Sequence, residues 1–266
     1  MSLMIAVRTA IISDIHSNLA ALEAVLADID QRNCQRIICL GDIIGYGPNP
    51  VQCVDLVEER CAWSLLGNHD FGVAYEPSNF NKIAEDAAFW TRREIDRHVA
   101  DHPEETVRRW HFLHRLRVQV REGGILYVHG SPRRQINEYI TPNSPYDDPK
   151  MMQSIFNLVE SVCVVGHTHV PGVFTDDLEF YKPGDLPDET YVVRPGQKAV
   201  VNPGSVGQPR DLDPRASYAI METDDAGAPK SFRFLRVEYD VQETVDRIDG
   251  ITELDSRLGR RLLDGQ

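Results

Sequence analysis

Ile37-Ile38-Cys39-Leu40-Gly41-Asp42 is the stretch whose reading decides the architecture. Four apolar residues give way to a glycine and then to an acid, the pattern of a short buried strand ending on a carboxylate. In open α/β sheets, ligands bind outside such carboxyl edges. The next residues, Gly45-Tyr46-Gly47-Pro48-Asn49-Pro50, form a wide glycine-rich turn that leaves room above the acid. Asn49 is placed to cap a new helix, with Pro50 in its first turn. Asp42 alone is a weak signal. Four other strand ends with metal-ligand residues give it weight.

Working back toward the start, residues 6–13 are mostly apolar and β-branched, a first buried strand that ends on Asp14-Ile15-His16. In extended chain, residues two apart point the same way, so Asp14 and His16 can face one ion. Asn18 then caps a helix on which Leu19, Leu22, Leu26 and Ile29 keep helical spacing. With Ile37 to Leu40 this makes β-α-β, hence a parallel pair with a right-handed crossover. Met1-Ser2-Leu3-Met4 reads as a scar of expression before a native start at Met4, and it is left out of the fold reading.

Working forward, the helix from Pro50 to about Glu59 leads to a third short strand, Trp63 to Leu66, which ends on Gly67-Asn68-His69-Asp70. Residues 81 to about 113 are charged and helical. Ile83, Ala87, Trp90, Ile95 and Val99 make one apolar face, and Pro103 starts a second helix carrying Val107, Trp110 and Leu113. This is read as a helical excursion, about 80–114, beside the site, with Trp90 and Trp110 in its core. Ile125 to Val128 is again a buried strand, ending on His129-Gly130. Residues 131–149, rich in Pro, Asn, Ser and Asp, read as a loop. A short helix (Met151 to Val159) leads to Val162–Val165, which ends on Gly166-His167-Thr168-His169. Beyond Pro171, short strands separated by Gly, Pro and Asp clusters suggest an antiparallel second sheet. These are Val173-Phe174, Tyr191–Val193, Ala199–Val201, Tyr218–Met221 and Phe232–Val237. Val241 to Leu263 is an amphipathic helix broken near Gly250. The fold class is therefore α/β (α+β), with two sheets face to face and helices outside.

At 266 residues and 42% hydrophobic composition, the chain can bury one substantial core and is read as one domain, 1–266. No apolar run approaches a membrane span, and no signal-peptide pattern opens the chain. Five cysteines without a CxxC motif point to a reducing, cytoplasmic setting. A net charge of -13 argues against an extended nucleic-acid surface. It does not exclude a phosphate ester in a pocket whose positive charge comes from metal ions.

Five strand ends thus carry Asp14/His16, Asp42, Asn68/His69, His129 and His167/His169. Imidazole, carboxylate and amide oxygen together suit borderline divalent ions such as Mn, Fe, Zn or Ni. There are too many ligands for one tetrahedral ion. They suit two ions sharing a carboxylate, the arrangement used for in-line displacement at phosphorus. A lone DxH is usually a capping Asp and a surface His, and a lone HxH is often exposed loop. All five after apolar runs are another matter. His98/His102 and His111/His114 also stand at helical spacing but lack matching carboxylates, and they are read as structural.

The order DxH, GD, GNHD, HG, GHTH resembles the calcineurin-like metallophosphoesterase superfamily, over residues 14 to 169. The resemblance implies a four-layer α-β-β-α sandwich. It also implies that Asp14, His16 and His169 bind one metal, that Asn68, His129 and His167 bind the other, and that Asp42 bridges them. His69 would be the catalytic histidine, with Asp70 holding its ring. The implied cofactors are two divalent transition-metal ions, with Mn favoured in vitro. The expected reaction is hydrolysis of a small phosphate ester by attack of a metal-bridging hydroxide.

Two departures bear on the substrate. The protein-phosphatase branch carries an arginine soon after its GD motif, whereas here Ile43-Ile44-Gly45-Tyr46-Gly47 has none. The GYGPNP turn and Asn202-Pro203-Gly204-Ser205-Val206-Gly207-Gln208-Pro209-Arg210 resemble the small prokaryotic phosphodiesterase-type branch. A phosphodiesterase is therefore the leading reading, and a phosphomonoesterase, protein phosphatase or dinucleoside polyphosphate hydrolase is the alternative. A catalytically silent metal-scaffold binding protein is the remoter one, and the presence of His69 speaks against it. Tyr46 and Arg210 are the substrate-side candidates. For Arg210 an ion pair with Asp211 or Asp213 competes with a contact to substrate phosphate, and carries more weight. A homo-oligomer is compatible with all of this.

Overall fold

The computed structural model describes residues 7–97 and 99–266. Met1-Ser2-Leu3-Met4, Ala6 and His98, each part of an expectation above, lie outside the described residues. The first third of the chain runs β1 (Arg8–Ile12), α1 (Leu19–Asp30), β2 (Arg36–Cys39), α2 (Pro50–Arg60) and β3 (Trp63–Ser64). The three strands are parallel, as β-α-β connections require. Their alternation assigns their faces. Ile11 and Ile38 point toward the second sheet, while Ala10, Ile12, Ile37 and Cys39 point toward the helices. Asn18 caps α1 by accepting from Ala21 N at 3.2 Å. Asn49 stands at the corresponding position of α2 but makes no side-chain cap bond there, so Pro50 alone marks that start.

After α3 (Asn68–Ala74), the stretch read as a helical excursion holds α4 (Lys82–Asp96) and α5 (Pro103–His114). On α4, Ala84, Ala87, Ala88, Trp90, Thr91 and Ile95 face inward, close to the expected stripe, but Val99 is exposed. On α5, Leu113 is buried as expected, but Val107 is 65% exposed and Thr106 and Arg109 are buried instead. Arg109 faces α2, its guanidinium donating to Asp55 Oδ1 and Oδ2 at 2.9 and 2.7 Å. Trp110 is only partly buried, with its Nε1 donating to Asp96 Oδ1 at 2.7 Å.

The rest of the chain supplies β4 (Gln119–Glu122), β5 (Ile125–Val128), α6 (Ser144–Asp147), α7 (Pro149–Phe156), β6 (Val162–Val164), β7 (Gly172–Thr175) and β8 (Phe180–Tyr181). It continues with β9 (Thr190–Val192), β10 (Ala199–Asn202), β11 (Ala216–Thr223), β12 (Pro229–Val237), α8 (Val241–Asp249) and α9 (Arg257–Leu263). Among the described residues these strands join two six-stranded sheets, ordered β3-β2-β1-β11-β12-β9 and β4-β5-β6-β10-β7-β8. The C-terminal strands therefore do not make a separate antiparallel sheet. β11 pairs antiparallel with β1, and β10 pairs parallel with β6. The reason is the open edge of β1: without β11 its backbone amides would be buried unpaired.

Between the sheets lies one apolar layer containing Ile11, Trp63, Tyr127, Val164, Phe232 and Phe234. Phe232 is fully buried there, and truncating such a side chain to alanine costs about 3–5 kcal/mol. The outer face of the first sheet packs on α1 and α2, and that of the second on α7. The result is the expected four-layer α-β-β-α sandwich. Among the described residues no helix is long and apolar enough to cross a membrane.

Candidate metal centre

The strand ends converge. Asp14 N donates to Gly41 O at 3.0 Å and His16 N to Asp42 O at 2.9 Å, which ties the β1 and β2 ends together. His167 N donates to both Asp14 carboxylate oxygens at 3.1 and 3.2 Å and brings in the second sheet. Asp14, His16, Asp42, His167 and His169 all hold left-handed backbone, with φ between 49° and 67°. For residues with a Cβ this costs on the order of 1 kcal/mol each and persists only where the surroundings enforce it.

Two buried clusters result. The ligand atoms of Asp14, His16, Asp42 and His169 lie within 4.8 Å of one another, as do those of Asp42, His129 and His167. Asp42 is common to both. Asn68 joins the second cluster, its Oδ1 3.2 Å from His129 Nε2. His16 Nε2 faces His169 Nε2 at 3.1 Å. Two nitrogens each ~2.1 Å from one ion stand about that far apart, so the spacing fits a shared cation. Asp42 Oδ2 and His167 Nε2 are buried without a hydrogen-bond partner, as lone pairs reserved for an ion are. The remaining ring nitrogens fix the orientation. His129 Nδ1 donates to Leu40 O at 2.9 Å and His169 Nδ1 to Gln208 O at 2.5 Å, turning each Nε2 inward. The donor set and geometry thus fit divalent ions.

The electrostatics agree. Burial alone would raise Asp42, but His129, His69 and His16 around it hold its carboxyl well below the usual range. Burial likewise works against ionised Asp14, and His169 outweighs it. Burial pushes His16 well below its ordinary value and His167 down to about 3, so both keep free lone pairs near neutrality. His129 is the exception. Burial lowers it, but the adjacent Asp42 carboxylate prevails and holds it near about 9.

His69 lies beside the centre and outside both clusters. Its ring packs on Tyr46 and Phe80, with centroids 4.2 and 4.6 Å away, and edge-on to His16 at 4.8 Å. Burial lowers its imidazole to about 4. Asp70 does not hold this ring. Its carboxylate instead accepts from the backbone N–H groups of Asp42, Ile43, Ile44 and Gly67 at 2.8 to 3.2 Å, and His69 Nδ1 has no partner. Burial and nearby Asp42 push Asp70 up, toward about 7, against those donors. With only donors around it, a carboxyl proton would have no acceptor, so the ionised form fits the geometry. Asp70 belongs to the support of the Asp42 loop.

A cleft of ≈ 360 Å³ opens onto this centre, lined by Tyr46, Asn68, His69, Phe80, Tyr139 and His167. A larger hollow of ≈ 850 Å³ around Arg8, Glu189, Glu222 and Arg233 contains none of the motif residues. Arg210 is not ion-paired to Asp211 or Asp213, contrary to the weightier expectation. Those acids are taken by Arg236 and Arg215, and Arg210 Nη2 donates to Gln208 Oε1 at 3.0 Å. Its charge reaches His16, His69 and His169. His114 Nδ1 meets Trp110 O at 2.6 Å, and neither His111 nor His114 joins a metal-ligating group among the described residues. Two residues, one lining the cleft and one behind Tyr46, carried no sequence signal. Tyr139, in a loop without periodicity, stacks on His167 at 3.8 Å. Arg261, on α9, lies over Tyr46 at 4.4 Å.

The calcineurin-like phosphoesterase superfamily domain matches residues 7–226. An uncharacterised protein of Methanocaldococcus jannaschii is 36% identical over 264 residues, 97% of this chain and 98% of its own length. The crystal structure of a metallophosphoesterase from Sphaerobacter thermophilus is 36% identical, with a TM-score of 0.81 over 98% of this chain and 100% of that one. A hypothetical protein from Pyrococcus horikoshii OT3 shares the fold at 19% identity, with a TM-score of 0.71 over 98% of this chain and 99% of that one. The chain belongs to the calcineurin-like phosphoesterase superfamily. It is a metal-dependent hydrolase of phosphate esters.

Proposed function

We propose that the chain, as one domain spanning 1–266 with an excursion at about 80–114, hydrolyses small phosphodiesters in the cytoplasm with two divalent ions. Asp14, His16 and His169 would hold one ion, Asn68, His129 and His167 the other, and Asp42 both. Bound there, the ions would acidify water and offset charge gathering on the phosphoryl oxygens. The observation that carries this reading is Asp42. It alone belongs to both clusters, and its Oδ2 is buried and unpartnered.

The chain's own groups divide the remaining work. His69 presents an imidazole to the cleft, placed to pass a proton to the leaving oxygen or to donate to a phosphoryl oxygen. Asp70 fixes the backbone from Asp42 to Ile44. Tyr46 and Phe80 wall the reacting face and exclude water from it. Among the described residues no carboxylate pairs with Arg210, which leaves it available to an anion. The diester preference rests on the missing arginine after Asp42 and on the GYGPNP turn.

The test is elemental analysis after loading with Mn or Zn, followed by a panel of mono- and diesters. About two equivalents per chain are expected, as two-metal hydrolases require. A saturating stoichiometry of one would sink the dinuclear reading. A monoester preferred over every diester would replace the proposed substrate class.

A further inference from the structure

The cleft over the metal centre is built without charged side chains. Asn68, His69 and His167 form its metal end. Beyond them it is lined by the rings of Tyr46, Phe80 and Tyr139 and by the carboxamides of Asn79, Asn81 and Asn137. Charged residues make up 26% of the chain, yet no Lys, Arg, Asp or Glu stands among the described residues of this lining. A second charged group on a substrate would therefore find no partner on these walls, and an ionised group without one is costly to desolvate. The walls offer aromatic surface and neutral donors and acceptors instead.

These side chains are held by braced loops. Tyr139 stacks on His167, with 3.8 Å between centroids and 26° between planes, while about half of its surface stays exposed. Its loop is fastened at both ends. Gly130 N donates to Gln135 O at 2.6 Å, Ser131 Oγ accepts from Arg133 N and Arg134 N at 3.1 Å, and Thr168 Oγ1 donates to Ile140 O at 2.9 Å. Gly130 has no room for a Cβ, which would stand 2.7 Å from Arg134 O. Phe80 leans on His69 and on Gly72, where a Cβ would come within 2.9 Å of Phe80 Cζ. Asn81 Oδ1 accepts from Ala84 N at 3.0 Å, which commits its oxygen to capping α4 and leaves its NH2 as a donor. A stack that starts at a metal-ligand position and ends on a half-exposed ring is a platform for one more flat ring.

We propose that this cleft receives a nucleobase, so that the substrates are phosphodiesters carrying one nucleoside. The base lies on Tyr139, and the Asn79 and Asn137 carboxamides meet its polar edge, as carboxamides pair with base edges elsewhere. This rests on the phosphoesterase reading above and narrows it. The ≈ 360 Å³ of the cleft lies at the small end of ligand sites, about 300–1,000 Å³, which suits one nucleoside and not a strand of them.

The probes are adenosine 5′-(methyl phosphate), uridine 5′-(methyl phosphate), methyl propyl phosphate and glucose 6-(methyl phosphate). They are compared by kcat/KM on Mn-loaded wild type, Tyr139→Phe, Tyr139→Leu and Asn137→Ala. Binding of free adenosine is followed by ligand-observed NMR. Wild type should favour the nucleoside diesters over methyl propyl phosphate by about tenfold or more, the worth of stacking one base on an aromatic ring. Tyr139→Leu should erase most of that ratio and Tyr139→Phe should keep it. Asn137→Ala should change the ratio of adenosine to uridine ester. If Tyr139→Leu does not fold, Asn137→Ala decides. A fall in all esters together, with the ratios unchanged in every folded variant, overturns the subsite. So does a glucose ester as good as the nucleoside esters, since the cleft would then serve any hydroxyl-rich group. Diester hydrolysis without base preference rejects the nucleobase and leaves the hydrolase reading standing. Adenosine binding that Tyr139→Leu abolishes, with no ester turned over, keeps the subsite and rejects the hydrolase reading.

Discussion

Gly67 is packed so tightly against Asp42 that a side chain there has no room. A Cβ on Gly67 would overlap Asp42 Oδ1 and its backbone nitrogen, and would stand 2.7 Å from Cγ. The same carboxylate oxygen accepts from His69 N at 2.8 Å, so the glycine, the shared carboxylate and His69 form one rigid unit.

Gly67→Ala should therefore push the Asp42 carboxylate aside without removing any ligand. Displacing a catalytic group by about 1 Å costs on the order of 10²-fold, and kcat should fall by about that much or more. Metal content at saturation, measured by elemental analysis, should drop below that of wild type. Wild-type turnover in Gly67→Ala would show that the position of Asp42 is not critical.

Asp42→Asn and Asp14→Asn test the sharing directly. Asp42 belongs to both clusters and Asp14 to one. The Asp42 variant should lose both ions and retain less activity than the Asp14 variant, which should keep about one. Equal residual kcat and equal metal content would remove Asp42 from its bridging place.

His69→Ala should separate esters by leaving group. Its loss should cost about two to four orders of magnitude for an alkyl ester, whose alkoxide needs a proton, and far less for a nitrophenyl ester. Metal content should not change. The comparison is of kcat/KM, read as a difference in transition-state free energy. A uniform loss would give His69 a phosphate-binding task, and a lost ion would make it a ligand.

Asp28 ties α1 to β11. It accepts from Arg32 Nε at 2.7 Å and from the Tyr218 hydroxyl at 2.6 Å. Burial would raise its carboxyl, but Arg32 and Tyr218 prevail and lower it. A lowered folded-state value contributes stability above the unfolded value, near pH ~4, and that contribution disappears as pH falls through the folded value. The melting-temperature gap between wild type and Asp28→Asn should hold steady from neutrality to about pH 5 and close below about pH 4. A gap that persists in acid would mean the pair adds nothing through ionisation.

The strand-end motifs were legible because each is contiguous and follows an apolar run, although Asp14 and His16 come together through left-handed backbone beyond β1 and not through the alternation of an extended strand. The same locality misled the reading of Asp70. Adjacency to His69 suggested a side-chain pair, but its partners are amides of residues 42–44 and 67, which no side-chain pattern announces. Asp211 and Asp213 stand beside Arg210 in sequence, whereas Arg236 reaches both from β12 and Arg215 takes Asp213 from two residues away. Arg261 sits in an ordinary amphipathic helix, and only the packing of α9 on Tyr46 gives it meaning. The split of the C-terminal strands between two sheets was likewise invisible, because alternation reports that a strand is half-buried but not which edge it joins.

The left-handed backbone at the five ligand positions bears on how this chain drifts. Replacing any of them by glycine or asparagine would relax a local conformation that the native residue tolerates poorly. Substitutions that destroy the centre should thus often leave a sturdier protein. In the absence of selection for turnover, thermostability and catalysis would part company here, and inactive descendants would be expected to keep the sandwich while losing its histidines.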